Sequence, residues 1–182
     1  MDTTQLLLVA ITGGASAGFA VWKAAAYNNP AKRWPKLAPE LELKFETPPP
    51  KLAGRWKNRE ASLVAQESTA VAVVPLKAAA GLRLEIGPKA EVEKAAGMVV
   101  PDRLTFDEDR AFSEVFAVRS TPKEAGQRAI DPMARQKALA IKGFRLLATS
   151  TELRVTAELP READAVRDLL DLAVSLAEVL DG

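Results

Sequence analysis

The sequence predicts an α+β fold carried behind an apolar amino-terminal segment. Three observations support this: an uncharged run over residues 6–22, apolar residues at every second position in residues 41–46, 82–86 and 152–158, and a helical apolar period after Pro160. The expected organisation is a single transmembrane helix in residues 1–27, a Pro-rich basic linker in residues 28–40, and an α+β cytoplasmic domain in residues 41–182. That domain is expected to hold a mostly antiparallel sheet, a two-helix insertion, a hairpin and a carboxy-terminal amphipathic helix.

Residues 6–22 read LLLVAITGGASAGFAVW, followed by Lys23 and by Tyr27. A helix over residues 6–27 would be roughly 33 Å long against a hydrocarbon core of ~30 Å, with Trp22 and Tyr27 at one interface. Two other readings stay open. Ala15, Ser16 and Ala17 offer a signal-peptide cleavage pattern, although the leading MDTTQ lacks Lys and Arg. The run is also short enough to be a helix buried in the protein or in a partner. If it spans, Lys23, Lys32, Arg33 and Lys36 follow it while no Lys or Arg precedes it, which places the bulk of the chain in the cytoplasm, with the span in the cell inner membrane. Gly14 and Gly18 have the four-residue spacing that lets two membrane helices approach, so self-association or another helix partner is expected there.

Pro30, Pro35 and Pro39 each lack an amide donor, which predicts an extended tether. Lys32, Arg33, Trp34 and Lys36 would suit anionic head groups, and a plain solvated linker serves equally well. Leu41, Leu43 and Phe45 then alternate with charged residues as a strand with one wet face, and Pro48, Pro49 and Pro50 end it. Further strands are expected over residues 59–66, 69–76 and 82–86, the last with Leu82, Leu84 and Ile86 inward. Pro75 belongs at an edge or a strand end. A short helix is expected over residues 89–97.

Thr121, Pro122 and Glu124 form a T-x-x-E capping pattern, which predicts a helix over residues 122–130. Asp131 before Pro132 starts a second helix, and Gly143 stops it near Lys142. Residues 143–149 and 152–158 form a hairpin, with Leu153, Val155 and Ala157 inward. In the last helix Val166, Leu169, Leu170, Ala173, Leu176, Ala177 and Leu180 share a face that should pack on the sheet. Leu172 and Val174 widen that face, through burial or through contact with another chain.

The chain has no cysteine and no histidine. Thiolate nucleophiles, Cys/His zinc sites and Ser-His-Asp relays are thereby excluded. Lys plus Arg number 25 against 24 Asp plus Glu, so nothing draws the chain to nucleic acid. Asp102, Asp107, Glu108 and Asp109 form an acidic stretch that lacks the oxygen spacing and turn glycine of a calcium loop, and an exposed polar turn is expected. Gly13, Gly14 and Gly18 lack the lysine of a phosphate loop. Phe106, Phe112, Phe116 and Phe144 are expected in the core rather than around a ligand.

The run Phe112-Ser113-Glu114-Val115-Phe116-Ala117-Val118-Arg119-Ser120, followed by TPKEAGQRAIDPMARQKAL, resembles a bacterial family of membrane-anchored domains of unknown function, and the similarity extends to Gly182. The resemblance implies a membrane-tethered α+β domain beginning with an F-x-x-x-F strand, and carries no catalytic residues. No catalytic, metal or cofactor-binding residue is expected. The expected function is a noncatalytic, membrane-anchored domain for protein interaction or complex assembly, with the lipid bilayer and a protein as partners. The alternatives are a lipid head-group sensor using Lys32, Arg33 and Lys36 with the sheet, and, less favoured, a carboxylate- or metal-dependent hydrolase using Asp102, Asp107 and Asp109.

Overall fold

The computed structural model describes residues 29–92 and 102–182. The expected anchor, Gly14 and Gly18 included, and most of the helix expected over residues 89–97 lie outside them. Among the described residues no helix is long and apolar enough to cross a membrane.

The described chain opens with a helix, α1, over Pro30–Leu37, where an extended tether was expected. Asn29 caps it by accepting from the Ala31 amide at 2.9 Å, and Pro30 occupies the first turn, where a missing N–H is harmless. Pro35 sits inside the helix, at a cost of about 3 kcal/mol. Trp34 is 1% exposed, and burying ~200 Å² of indole contributes roughly 5 kcal/mol at ~25 cal/mol per Å². Packing therefore outweighs the backbone preference of the prolines.

Nine strands follow: β1 (Lys44–Glu46), β2 (Lys51–Trp56), β3 (Arg59–Gln66), β4 (Thr69–Pro75), β5 (Arg83–Pro88), β6 (Asp102–Leu104), β7 (Phe116–Thr121), β8 (Arg145–Thr149) and β9 (Glu152–Glu158). They form one sheet in the order β1-β2-β3-β4-β9-β8-β5-β7-β6, and every pairing is antiparallel. One register row crosses the whole sheet: Phe45, Leu52, Leu63, Ala72, Val155, Leu146, Ile86, Val118 and Leu104 stand side by side. All but Phe45 are buried. Because side chains alternate along a strand, these pairings put the core on one face.

Helix α6 (Ala163–Asp181) covers that face, packing on β4, β9, β3 and β2. Leu172 is 1% exposed and Val174 0%, so the broad apolar surface is spent on burial. Helix α4 (Lys123–Ala129) lies on β7 and β6 and touches α6. Helix α5 (Pro132–Ala140) also contacts α6 and is capped by Asp131, which accepts from the Ala134 amide at 2.7 Å. Helix α2 (Lys89–Val92) packs on β5 and β7. A side chain at Gly87 would meet Val92, and Gly87 alternates with inward Ile86, so α2 lies on the opposite face.

Several expectations are corrected. The strand expected over residues 41–46 shrinks to β1, with Leu41 and Leu43 buried in the turn before it. β2 and β6 had not been anticipated. Phe112 and Phe116 do not share a strand: Phe112 is on helix α3 (Arg110–Val115) and Phe116 begins β7. A helix brings residues four apart to one face, which is how both phenylalanines turn inward. Thr121 does not cap α4; it ends β7, and the helix starts with no side-chain cap.

Candidate functional site

The acidic stretch is structural at its centre. Arg135 of α5 is 4% exposed and pairs with Asp109 at 2.9 Å and Glu108 at 3.1 Å. Its guanidinium also lies 4.8 Å from the centre of the Phe106 ring, an attractive placement for a cation. Asp109 in addition caps α3 by accepting from the Phe112 amide at 3.1 Å. Asp102 faces Lys123 at 3.8 Å, and Asp107 is exposed. Among the described residues, no three carboxylates converge to hold a metal. The hydrolase reading thus gains no assembled centre.

Phe106, Phe112, Phe116 and Phe144 form a continuous ring stack, with centroids 5.7, 5.2 and 5.6 Å apart in succession. Each is less than a tenth exposed, so the stack is packed core rather than a ligand chamber.

The residues expected at a membrane surface divide into two groups. Trp34 belongs to the core, and Arg33 pairs with Glu162 at the start of α6 at 2.9 Å. Lys32 and Lys36 stay exposed and form no ion pair with the described residues. Only these two keep the freedom that head-group contact requires.

A cleft of about 900 Å³ opens beside Pro30, Arg33 and Trp34 of the same helix. Its walls are the first turn of α1, the β3–β4 turn, the end of α5, and the segment joining β9 to α6. Pro30, Leu159 and Pro160 supply partly exposed apolar surface, with the buried Trp34 and Leu169 beneath. Beside Arg33, which pairs with Glu162, stand the exposed charges Lys142 and Arg161 and the carboxylates Glu67, Glu158 and Asp168. None of these five forms an ion pair with the described residues. Glu67 has a positive φ of 51°, which the tight β3–β4 turn imposes.

Sequence reasoning missed this cleft because its charges come from four separated segments. The weak signals were turn residues Glu67 and Ser68, the helix stop before Gly143, and Pro160 ahead of the last helix. None of them implies that those segments meet.

No protein-family profile matches the chain. No curated protein matches it. Among solved structures the chain is similar to the crystal structure of the mycobacterial trehalose monomycolate transport factor A, TtfA. The two share 11% identity with a TM-score of 0.63, over 84% of this chain and 94% of that one. At that identity the likeness is one of fold: the α+β architecture is shared across nearly the whole of the other chain.

Proposed function

We infer that the chain is a noncatalytic, membrane-anchored domain that serves a membrane-associated complex from the cytoplasmic side, in a role connected with lipid movement. The observation that carries this reading is the docking of α1. Trp34 is sealed into the core and Arg33 is paired with Glu162, on a helix that begins eight residues after the uncharged run at 6–22. A domain hung on a loose tether samples any orientation. A domain seized at its first helix keeps its starting point, Pro30, at one place on its own surface, which biases the side it turns to whatever holds the preceding residues.

The basic residues Lys23, Lys32, Arg33 and Lys36 support a cytoplasmic location by the positive-inside rule. The absence of His and Cys from the sequence supports binding over catalysis. The shared fold with the mycobacterial trehalose monomycolate transport factor A supports the link with lipid, by analogy of fold alone. The family resemblance over residues 102–182 points the same way.

The test is retention and topology of the full chain. After an alkaline wash of native membranes it should stay in the pellet, and protease should reach residues 41–182 in inverted vesicles but not in sealed cells. Release of intact chain into the supernatant, or digestion from outside sealed cells, overturns the reading.

A further inference from the structure

The charges about the cleft are mixed in a way that selects a ligand. A simple anion would gain Lys142, Arg161 and the already paired Arg33 but would face Glu67, Glu158 and Asp168, none of which forms an ion pair with a described residue. A simple cation would meet the reverse opposition. A head group that carries a phosphate next to a primary ammonium satisfies both sets, the phosphate against Arg161 and Lys142 and the ammonium against the carboxylates. Pro30, Leu159 and Pro160, all partly exposed, then offer apolar surface to the glycerol and the first methylenes.

Position supplies the second argument. Pro30 lines the cleft and stands eight residues after Trp22, the end of the uncharged run, a reach of about 28 Å at most for an extended chain. If residues 6–22 lie in a bilayer, the cleft is held within reach of the head-group layer, and a phospholipid of that leaflet is the ligand closest at hand.

We propose that this cleft binds the head group of an aminophospholipid from the leaflet facing the domain. The inference rests on the membrane-anchored reading above and deepens it by naming the ligand class and the residues that discriminate.

The experiment uses the full chain in phosphatidylcholine nanodiscs containing equal minor amounts of phosphatidylethanolamine and phosphatidylglycerol. A benzophenone side chain replaces Ala165 in the cleft or, separately, Val9 in the apolar run. Lipid adducts are weighed by intact mass spectrometry, and Val9 reports the bulk composition. The ratio of ethanolamine to glycerol adducts at position 165 should exceed that at position 9 by about threefold, the selectivity expected from one or two partly exposed ion pairs. Glu158→Lys with Asp168→Lys should invert the preference, and Lys142→Glu with Arg161→Glu should remove the adduct at position 165. Equal ratios, a phosphatidylglycerol preference, or no adduct at position 165 overturns the inference while adducts at position 9 leave the anchored reading standing. No lipid adduct at either position overturns both.

Discussion

The indole Nε1 of Trp56 donates to Oδ1 of Asp171 at 2.7 Å, joining the end of β2 to the middle of α6 across 115 residues of chain. Lys57 reaches the same oxygen at 2.9 Å. Ten residues further along α6, Asp181 receives the Lys77 amide at 2.7 Å and pairs with Arg59. The β2–β3 hairpin and the closing helix are thus latched at two points, roughly 15 Å apart along the helix.

The Asp171 latch should depend on pH. Burial alone would raise this carboxyl, but the hydrogen bonds from Lys57 and Trp56 outweigh it and hold it below the ordinary carboxylate range. A folded-state value below the unfolded one gives stability that is present above the unfolded value of ~3.9 and is lost as pH falls through the folded value. Asp171→Asn keeps an acceptor for Trp56 and removes the charge facing Lys57, so it should cost about 1 kcal/mol near neutrality, kept small by the exposure of Lys57. In urea melts the difference from the parent chain should hold from neutral pH to about pH 5 and close towards about pH 3. A difference that widened on acidification would contradict the assignment.

Arg135 should be among the more sensitive polar positions. Removing one member of a buried pair costs about 3–5 kcal/mol, but the Asp109 side chain is 21% exposed and Glu108 66%, so water relieves part of the loss. Arg135→Ala should therefore lower stability by about 3 kcal/mol. Asp109→Ala loses the ion pair and the α3 cap together. The two changes combined should cost less than the sum of each alone, because they remove one shared interaction. Full additivity in a denaturant double-mutant cycle would show that the pair is not coupled.

Gly126 sets two small effects against each other. Alanine is favoured over glycine in a helix by about 1 kcal/mol. A Cβ there would stand 2.6 Å from both Leu104 Cδ1 and the Ser120 Cβ, and overpacking of this kind costs roughly 1–3 kcal/mol. Ser120 is fully buried with its hydroxyl donating to the Pro122 carbonyl at 2.7 Å, which limits its ability to move aside. Gly126→Ala should therefore destabilise despite its helix propensity. A rise in melting temperature would mean that α4 can lift from β6 and β7 without loss.

The parts of the fold legible in the sequence are those where local pattern and tertiary burial agree. β3 spans Arg59–Gln66 as its strand-favouring composition predicts, β9 spans Glu152–Glu158 as its alternation predicts, and Leu153, Val155 and Ala157 all turn inward. Asp131 and Pro132 start α5 as capping chemistry requires. The failures are tertiary overrides. In β2 the sequence KLAGRW has one fully buried residue, Leu52, so there was little period to read. In α1 the prolines spoke against the helix, and only the distant surface that receives Trp34 reverses them. The cleft was illegible for a related reason: Glu67, Lys142, Glu158 and Arg161 look like ordinary turn charges until the sheet order brings their turns to one end.

Trp34 offers the most direct check on how the domain is held. As part of a solvated linker it would be replaceable at almost no cost. As a core residue it should cost about 3–5 kcal/mol when truncated to alanine, enough to undock α1 or to unfold a marginal domain. Undocking has its own signature, because Lys32, Arg33 and Lys36 are trypsin sites on the helix and a docked helix is cut only after local opening. Trp34→Ala should therefore speed cleavage at these three positions well before cleavage within the sheet. Trp34→Phe, which keeps most of the apolar volume, should restore much of the protection. Equal cleavage rates in the parent chain and in Trp34→Ala would show that α1 is not clamped to the domain, and with that the argument for a biased presentation of the cleft would fall.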